Sequence, residues 1–178
     1  ELRQAINSVH KTTKHLQALI RPAELKIFRP YDVLRVAIKN FQKANSQNSV
    51  TIELRGTTSA KRALIRGQPL LLIEILSVLI KNSLQAISDS AATTGDIVVA
   101  LEYNPAQGLN IYVSDSGPGF DADQKRTLFR NMQSTKLNGH GFGLYLSEQI
   151  LSQHFNGTII LDDRSGRTTF IISIPSVA

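Results

Sequence analysis

The sequence predicts an α+β sandwich in which helices pack on one face of a mixed β-sheet. Three observations carry that expectation. Gln68–Ser90 is a long helical stretch with isoleucines and leucines on most of its sides, so it has to be a buried central element. Asp96–Tyr103 and Leu109–Asp115 read as two strands joined by Asn-Pro-Ala-Gln-Gly, with turn residues where a hairpin needs them. Thr158–Asp163 and Thr168–Ile174 read as a closing hairpin around Arg164–Arg167.

The other elements follow in order. Over residues 1–21, Leu2, Ile6, Val9, Leu16, Leu19 and Ile20 recur at helical spacing, and Pro22 ends the run. A single helix cannot bury such a stripe alone, so it needs a partner from this chain or another. Leu25 and Ile27 suggest a short extended piece, and Tyr31–Phe41 contains a second helix. Ala44–Ser49 is a polar loop. Val50, Ile52 and Leu54 alternate with polar residues as a half-buried strand, and Ala63–Arg66 is expected to pair with it as a hairpin across Gly56–Lys61. Asp123–Arg130 reads as a short helix, Asn131–Gly141 as a loop, and Phe142–Phe155 as a helix closed by Asn156–Gly157.

Composition narrows the function classes. The 178 residues suffice for one globular domain with a short appended element, and 42% hydrophobic with 19% charged residues argues against disorder. Twenty basic against 14 acidic residues give a net charge of +6. That balance suits an anionic cofactor or an acidic protein partner, but no run mixes dense Lys/Arg with aromatics, so no nucleic-acid face is expected. The absence of cysteine excludes disulfides, zinc–thiolate sites and thiol catalysis, and it fits a cytoplasmic setting. The longest apolar run, Leu70–Ile80, is interrupted by Glu74 and Ser77 and is too short to span a bilayer. The chain opens at Glu1 in mid-pattern, so it is expected to be a fragment, possible membrane attachment lying upstream.

The residues able to carry chemistry lie mainly between Asp115 and Leu146. Asp115 ends a strand and is followed by Ser-Gly-Pro-Gly-Phe. An Asx-turn would explain such an aspartate. An ionised carboxylate that can only accept hydrogen bonds also suits the amino group of adenine, and Gly117 and Gly119 would let the backbone approach the base. Gly139-His140-Gly141-Phe142-Gly143 directly precedes a helix, where exposed N–H groups and the helix field favour phosphate. A flexible turn is the plain alternative. On the central helix, Asn82 is flanked by Leu71, Ile75, Val78, Leu79 and Ala86, so its amide is expected to need partners. It either ties down a loop or offers an oxygen to a hard cation such as Mg²⁺. Lys81 beside it either contacts phosphate or lies solvated on the polar stripe. His10, His15, His140 and His154 show no metal-ligand spacing.

Taken together in this order, these motifs resemble the ATP-binding catalytic domain of sensor histidine kinases. That domain belongs to a superfamily shared with DNA gyrase, MutL-type repair ATPases and heat-shock chaperones. The resemblance covers residues 22–178 and implies the two-layer Bergerat sandwich preceded by a helix. Gln68–Ile87 is similar to the family's Asn box, which places Asn82 at the Mg²⁺-binding asparagine. Asp115–Phe120 is similar to the first glycine box, with Asp115 as the adenine reader. Leu128–Lys136 resembles the phenylalanine box, with Phe129 at its namesake position and Thr135-Lys136 at the usual Thr-Lys. Gly139–Leu144 resembles the second glycine box beside the polyphosphate, and this adds His140, Phe142 and Leu144 to the expected nucleotide contacts. Thr168, in Arg167–Phe170, would support the adenine site. Residues 1–21 resemble the second helix of the dimerisation and histidine-phosphotransfer hairpin.

The departures from the family pattern are specific. Gln68 stands where the family has Asp before Pro. Val78 lies one turn before Asn82, where ATP-hydrolysing relatives carry a general-base Glu. Asn131-Met132-Gln133 replaces the usual Pro and aromatics. His10 and His15 lack the acidic residue and Pro that follow the phosphoacceptor, so that histidine is expected upstream of Glu1. The resemblance therefore implies the Mg²⁺-ATP-holding half of a two-component histidine kinase, a homodimer in its full length through the N-terminal helix, with a response-regulator receiver as partner. The rival expectations are a nucleotide-sensing regulator without phosphotransfer and an ATP-hydrolysing clamp.

Overall fold

The computed structural model describes residues 24–45, 49–90, 94–129, 142–162 and 166–176. In chain order the elements are β1 (Lys26–Phe28), α1 (Pro30–Ala44), β2 (Val50–Gly56), α2 (Thr58–Arg62), β3 (Ile65–Gly67), α3 (Pro69–Asp89), β4 (Gly95–Asn104), β5 (Gly108–Asp115), α4 (Ala122–Thr127), α5 (Phe142–Phe155), β6 (Thr158–Asp162) and β7 (Thr168–Ile174). A five-stranded sheet runs β2-β4-β5-β7-β6, and β1 and β3 form a separate two-stranded sheet. The β2–β4 pair is parallel and the other pairs are antiparallel, so the main sheet is mixed as expected.

The alternation along each strand sets the layers. Ile97, Val99 and Leu101 of β4, Ile111 and Val113 of β5, and Phe170, Ile172 and Ile174 of β7 all point to one face and are buried there. Against them lies α3, with Leu72, Ile75, Leu76, Leu79 and Ile80 each at most 1% exposed. Helices α1 and α5 pack on α3 from its two sides. By length and hydropathy alone α3 would pass for a membrane-crossing segment, but these residues are the centre of the sandwich. Gln68 precedes Pro69 without capping the helix. Its Nε2 instead lies 3.4 Å from Nδ1 of His154, linking the start of α3 to the last turn of α5.

One expectation fails. Ala63–Arg66 does not pair with Val50–Leu54; β3 pairs antiparallel with β1, and β2 pairs in parallel with β4. The intervening residues are helix, because Thr57 acts as N-cap and its Oγ1 accepts the Ala60 N–H at 3.2 Å. Gly56 therefore opens a crossover rather than a hairpin turn. The Asn156–Gly157 stop behaves as expected, with Asn156 left-handed at φ 50° and the Gly157 N–H donating to the Leu151 carbonyl at 2.9 Å. The expected helix over residues 1–21, the division at residue 22 and the loop Asn131–Gly141 lie outside the described residues.

The β4–β5 hairpin shows why its sequence is glycine-terminated. Asn104 Oδ1 accepts the Ala106 N–H at 2.9 Å, and the Asn104 carbonyl accepts the Gln107 N–H at 3.1 Å. Gly108 closes the turn at φ +103°, where a Cβ would lie 2.2 Å from the Ile174 carbonyl oxygen. Gly108→Ala is expected to destabilise the fold by about 2–4 kcal/mol, from backbone strain and the forced displacement of β7. Thermal denaturation should show a Tm lower by about 5–15 °C; a Tm within about 2 °C of the parent would show that the turn relaxes freely.

Candidate functional site

Asp115 is the last residue of β5, paired with Ile97 of β4 on one side and Thr168 of β7 on the other. Its side chain faces the helices and is 2% exposed. A carboxylate so buried needs donors, and it has two. Ser83 Oγ of α3 donates to Oδ2 at 2.7 Å, and the Gly117 N–H donates to Oδ1 at 2.9 Å. Each carboxylate oxygen retains acceptor capacity beyond these bonds.

Thr168, directly across from Asp115, is 4% exposed, and its Oγ1 is buried without a partner among the described residues. A buried hydroxyl left unbonded carries a desolvation penalty, so its natural partner is a group outside the described residues. Two glycines lie against the same pair. A Cβ on Gly117 would meet Asp115 Oδ1 at 2.8 Å and Ala86 Cβ at 3.1 Å. Gly119 adopts φ +81°, and a Cβ there would lie 3.6 Å from Thr168 Oγ1. The arrangement is thus a fixed acceptor and a hydroxyl without a partner among the described residues, side by side and buried beneath two glycines. It suits a small planar ligand presenting an amino group beside an acceptor nitrogen, as adenine does.

Phe170 anchors the neighbouring loops. It is 1% exposed, two residues beyond Thr168 on the same face, and takes edge-on contacts from Phe120 at 6.0 Å and Phe129 at 6.4 Å. Both motifs that follow β5 therefore root in one aromatic side chain of β7.

Asn82 departs from expectation. It is exposed and its side chain makes no hydrogen bond among the described residues, because the buried stripe of α3 passes through its neighbour Ser83 instead. Lys81 is exposed as well. Val78, one turn before Asn82, lies against the first turn of α5, where a Cβ on Gly143 would come within 2.9 Å of Val78 Cγ1. Asn82 lies one turn further along α3, with its side chain exposed. Phe142 opens α5, the Gly143 carbonyl accepts from Ser147 Oγ at 2.8 Å, and Leu144 is buried in the core. Thr135, Lys136, Gly139, His140 and Gly141 lie outside the described residues.

Two site residues were not singled out from the sequence. Ser83 could have been, since Leu79, Ser83 and Ile87 are spaced four apart and a lone hydroxyl on that stripe must bond something. Phe170 carries no such signal, because an aromatic in an apolar strand reads as ordinary core. The rest of the surface offers less. A cleft of about 500 Å³ beside Ile27, Leu64 and Tyr103, at the other end of β4, is mostly apolar and holds no buried polar side chain.

Residues 67–178 match the family of histidine kinase-, DNA gyrase B- and HSP90-like ATPases. The sensor histidine kinase ZraS of Escherichia coli (strain K12) is 31% identical over 169 residues, covering 94% of this chain and 35% of its own length. The chain spans about a third or less of the curated relatives it matches first. Among solved structures, the catalytic domain of the histidine kinase ThkA superposes with a TM-score of 0.75 at 19% identity, covering 88% of this chain and all of that domain. ThkA in complex with the response regulator protein TrrA matches with a TM-score of 0.73 at 16% identity, over 97% of this chain and 49% of that one. At these identities the two structures establish the fold.

Removing the Ser83 hydroxyl should expose how much the buried carboxylate depends on it. Ser83→Ala leaves Asp115 Oδ2 without its donor and is expected to cost about 1–3 kcal/mol of stability. Urea denaturation reads this as a lower midpoint at unchanged slope. An unchanged midpoint would show that water or a shifted side chain replaces the bond.

Proposed function

The chain belongs to the histidine kinase-, DNA gyrase B- and HSP90-like ATPase family, and on that basis we propose that it is the ATP-binding catalytic part of a two-component sensor histidine kinase. The observation that carries the reading is the pairing of buried Asp115 with the Thr168 hydroxyl, which has no partner among the described residues. Asp115 accepts the adenine amino group, while Thr168 serves the adjacent ring nitrogen, directly or through a water. Gly117 and Gly119 admit the base edge because neither carries a Cβ.

The phosphate end follows from the position of α5. Asn82 and Lys81 stand on α3 toward the α5 N-terminus, where backbone N–H groups favour anions. The Asn82 amide oxygen and the phosphates would share a Mg²⁺ ion, a hard cation that takes oxygen ligands and keeps several waters. Phe129, Thr135, Lys136 and Gly139–Leu144 complete the nucleotide contacts in this reading. Bound Mg²⁺-ATP supplies a γ-phosphoryl group for in-line transfer. The chain's own contribution is to hold the base, orient the phosphates and neutralise charge, which is where most catalysis of phosphoryl transfer resides.

The phosphoacceptor is a histidine outside residues 1–178, on a dimerisation hairpin to which residues 1–21 contribute, and the full-length protein is a homodimer through that helix. The setting is cytoplasmic, and the onward acceptor is a response-regulator receiver, whose acidic surface the +6 charge complements. Hydrolysis as in the ATP-driven clamps is disfavoured by one observation. Val78, an apolar side chain, fills the position of the general-base carboxylate and packs on Gly143.

Calorimetry with an ATP analogue tests the reading. Asp115→Asn replaces a charge-assisted acceptor with a neutral amide and is expected to weaken binding by about ten- to a hundredfold. Binding equal to the parent would overturn the adenine assignment. Asn82→Ala should leave Mg²⁺-free binding intact and remove the gain in affinity on adding Mg²⁺; a retained Mg²⁺ response would place the ion elsewhere.

A further inference from the structure

The sheet face turned away from the helices carries a set of side-chain bonds that mostly join adjacent strands. Tyr112 of β5 donates to Glu102 of β4, Ser114 bonds Thr169, and Ser173 bonds Asn110 between β5 and β7. One pair is different. Arg167, entering β7, reaches across the end of β5 to Asp96 at the start of β4. Nη2 lies 2.7 Å from Oδ2, Nη1 lies 3.2 Å from Oδ1, and Nη2 also lies 3.4 Å from the Asp96 carbonyl. Gly166, left-handed at φ +74°, turns the chain just before Arg167.

Asp96 also holds the residue that follows Asp115. Its N–H donates to Ser116 Oγ at 3.0 Å, and its carbonyl accepts the Ser116 N–H at 3.1 Å. The exit of β5 and the entrance of β7 are therefore both fixed to one residue of β4. The two groups between those points, on the opposite face, are Asp115 and Thr168. We propose that Arg167, Asp96 and Ser116 form a positioning clip that sets the spacing of the Asp115 carboxylate and the Thr168 hydroxyl, and thereby the preference for an adenine base. This inference rests on the nucleotide reading of the same site.

The physical case is one of geometry over stability. The pair is 37% and 42% exposed, and exposed pairs add little to global stability. Its fork is bidentate, however, which fixes direction as well as distance. Both base contacts come from strand ends, where pairing stops and the backbone is free to splay. A displacement of a few tenths of an ångström there lengthens one base contact while shortening the other, which hydrogen-bond geometry tolerates poorly. A purine with oxygen in place of the amino group presents an acceptor to Asp115, so the clip bears directly on discrimination between the two.

The test compares ADP with IDP by calorimetry for the parent chain, for Arg167→Ala, for Asp96→Asn and for the reversed pair Asp96→Arg with Arg167→Asp. The clip predicts that either single change lowers the ADP-to-IDP affinity ratio about tenfold while moving Tm by less than about 4 °C. The reversed pair should recover most of the ratio, and it remains informative where a single variant folds poorly. An unchanged ratio in the single variants, or equal losses for both nucleotides, overturns the clip. Asp115→Asn separates the two levels of inference. If the parent chain binds no ADP, or if Asp115→Asn binds it as well as the parent, the nucleotide reading fails and the clip with it. Loss in Asp115→Asn without loss in the clip variants overturns the clip alone.

Discussion

A helix that is apolar on most of its sides must be covered on most of its sides, and the burial of α3 is the constraint from which the rest of the sandwich follows. The sheet covers one flank, while α1 and α5 cover two others. Each fully buried leucine or isoleucine contributes about 1.5–3 kcal/mol relative to exposure, so α3 cannot shift without a large loss. Ser83 is the single polar residue of α3 in that buried set, and it points at Asp115. The hydrophobic fit of the helix thereby fixes a hydrogen bond, and the hydrogen bond fixes the carboxylate. A group needed for recognition is positioned by forces that have nothing to do with the ligand.

The same logic bears on the departures from good packing beside Asp115. Close packing normally fills any space bounded by helix and sheet. Here two glycines leave out side chains beside Asp115 and Thr168, and the Thr168 hydroxyl is buried without a partner among the described residues. Such a local violation of good packing costs stability and is retained where a ligand repays it. Phe170, in contrast, is packed to the full, and the loops carrying Phe120 and Phe129 are held to it by edge-on contacts. One strand thus supplies both the Thr168 hydroxyl and its rigid surround.

Much of this was legible in the sequence where the signal was periodic. The helix over Gln68–Ser90, the hairpin through Asn-Pro-Ala-Gln-Gly and the closing strands each follow from spacing and turn chemistry. Strand pairing was less legible. The segment Gly56–Lys61 contains a glycine and polar residues, which fit a hairpin turn, yet Thr57 caps a short helix and β2 finds its partner beyond α3. Nothing local distinguishes those outcomes, because parallel pairing depends on residues some forty positions away. Asn82 shows the opposite failure. Its apolar neighbours on the helical wheel suggested burial, but the stripe is one residue out of phase, and Ser83 takes the buried place. An error of one residue, about 100° on a helix, exchanges a buried polar group for an exposed one.

The bonds on the outer face were not legible at all, for a physical reason. Asp96 and Arg167 are 71 residues apart and meet only because β5 lies between their strands. Neither sits at a position whose residue type is remarkable locally. A sheet transmits position sideways through its ladder, and at strand ends the ladder stops, so the last pair on each strand is the least constrained. Asp115 is such a last residue, and Thr168 is such a first one. A ligand read by two residues at the frayed edge of a sheet requires some restraint beyond the ladder. The helices provide one for Asp115 through Ser83; the opposite face, through Asp96, provides the other.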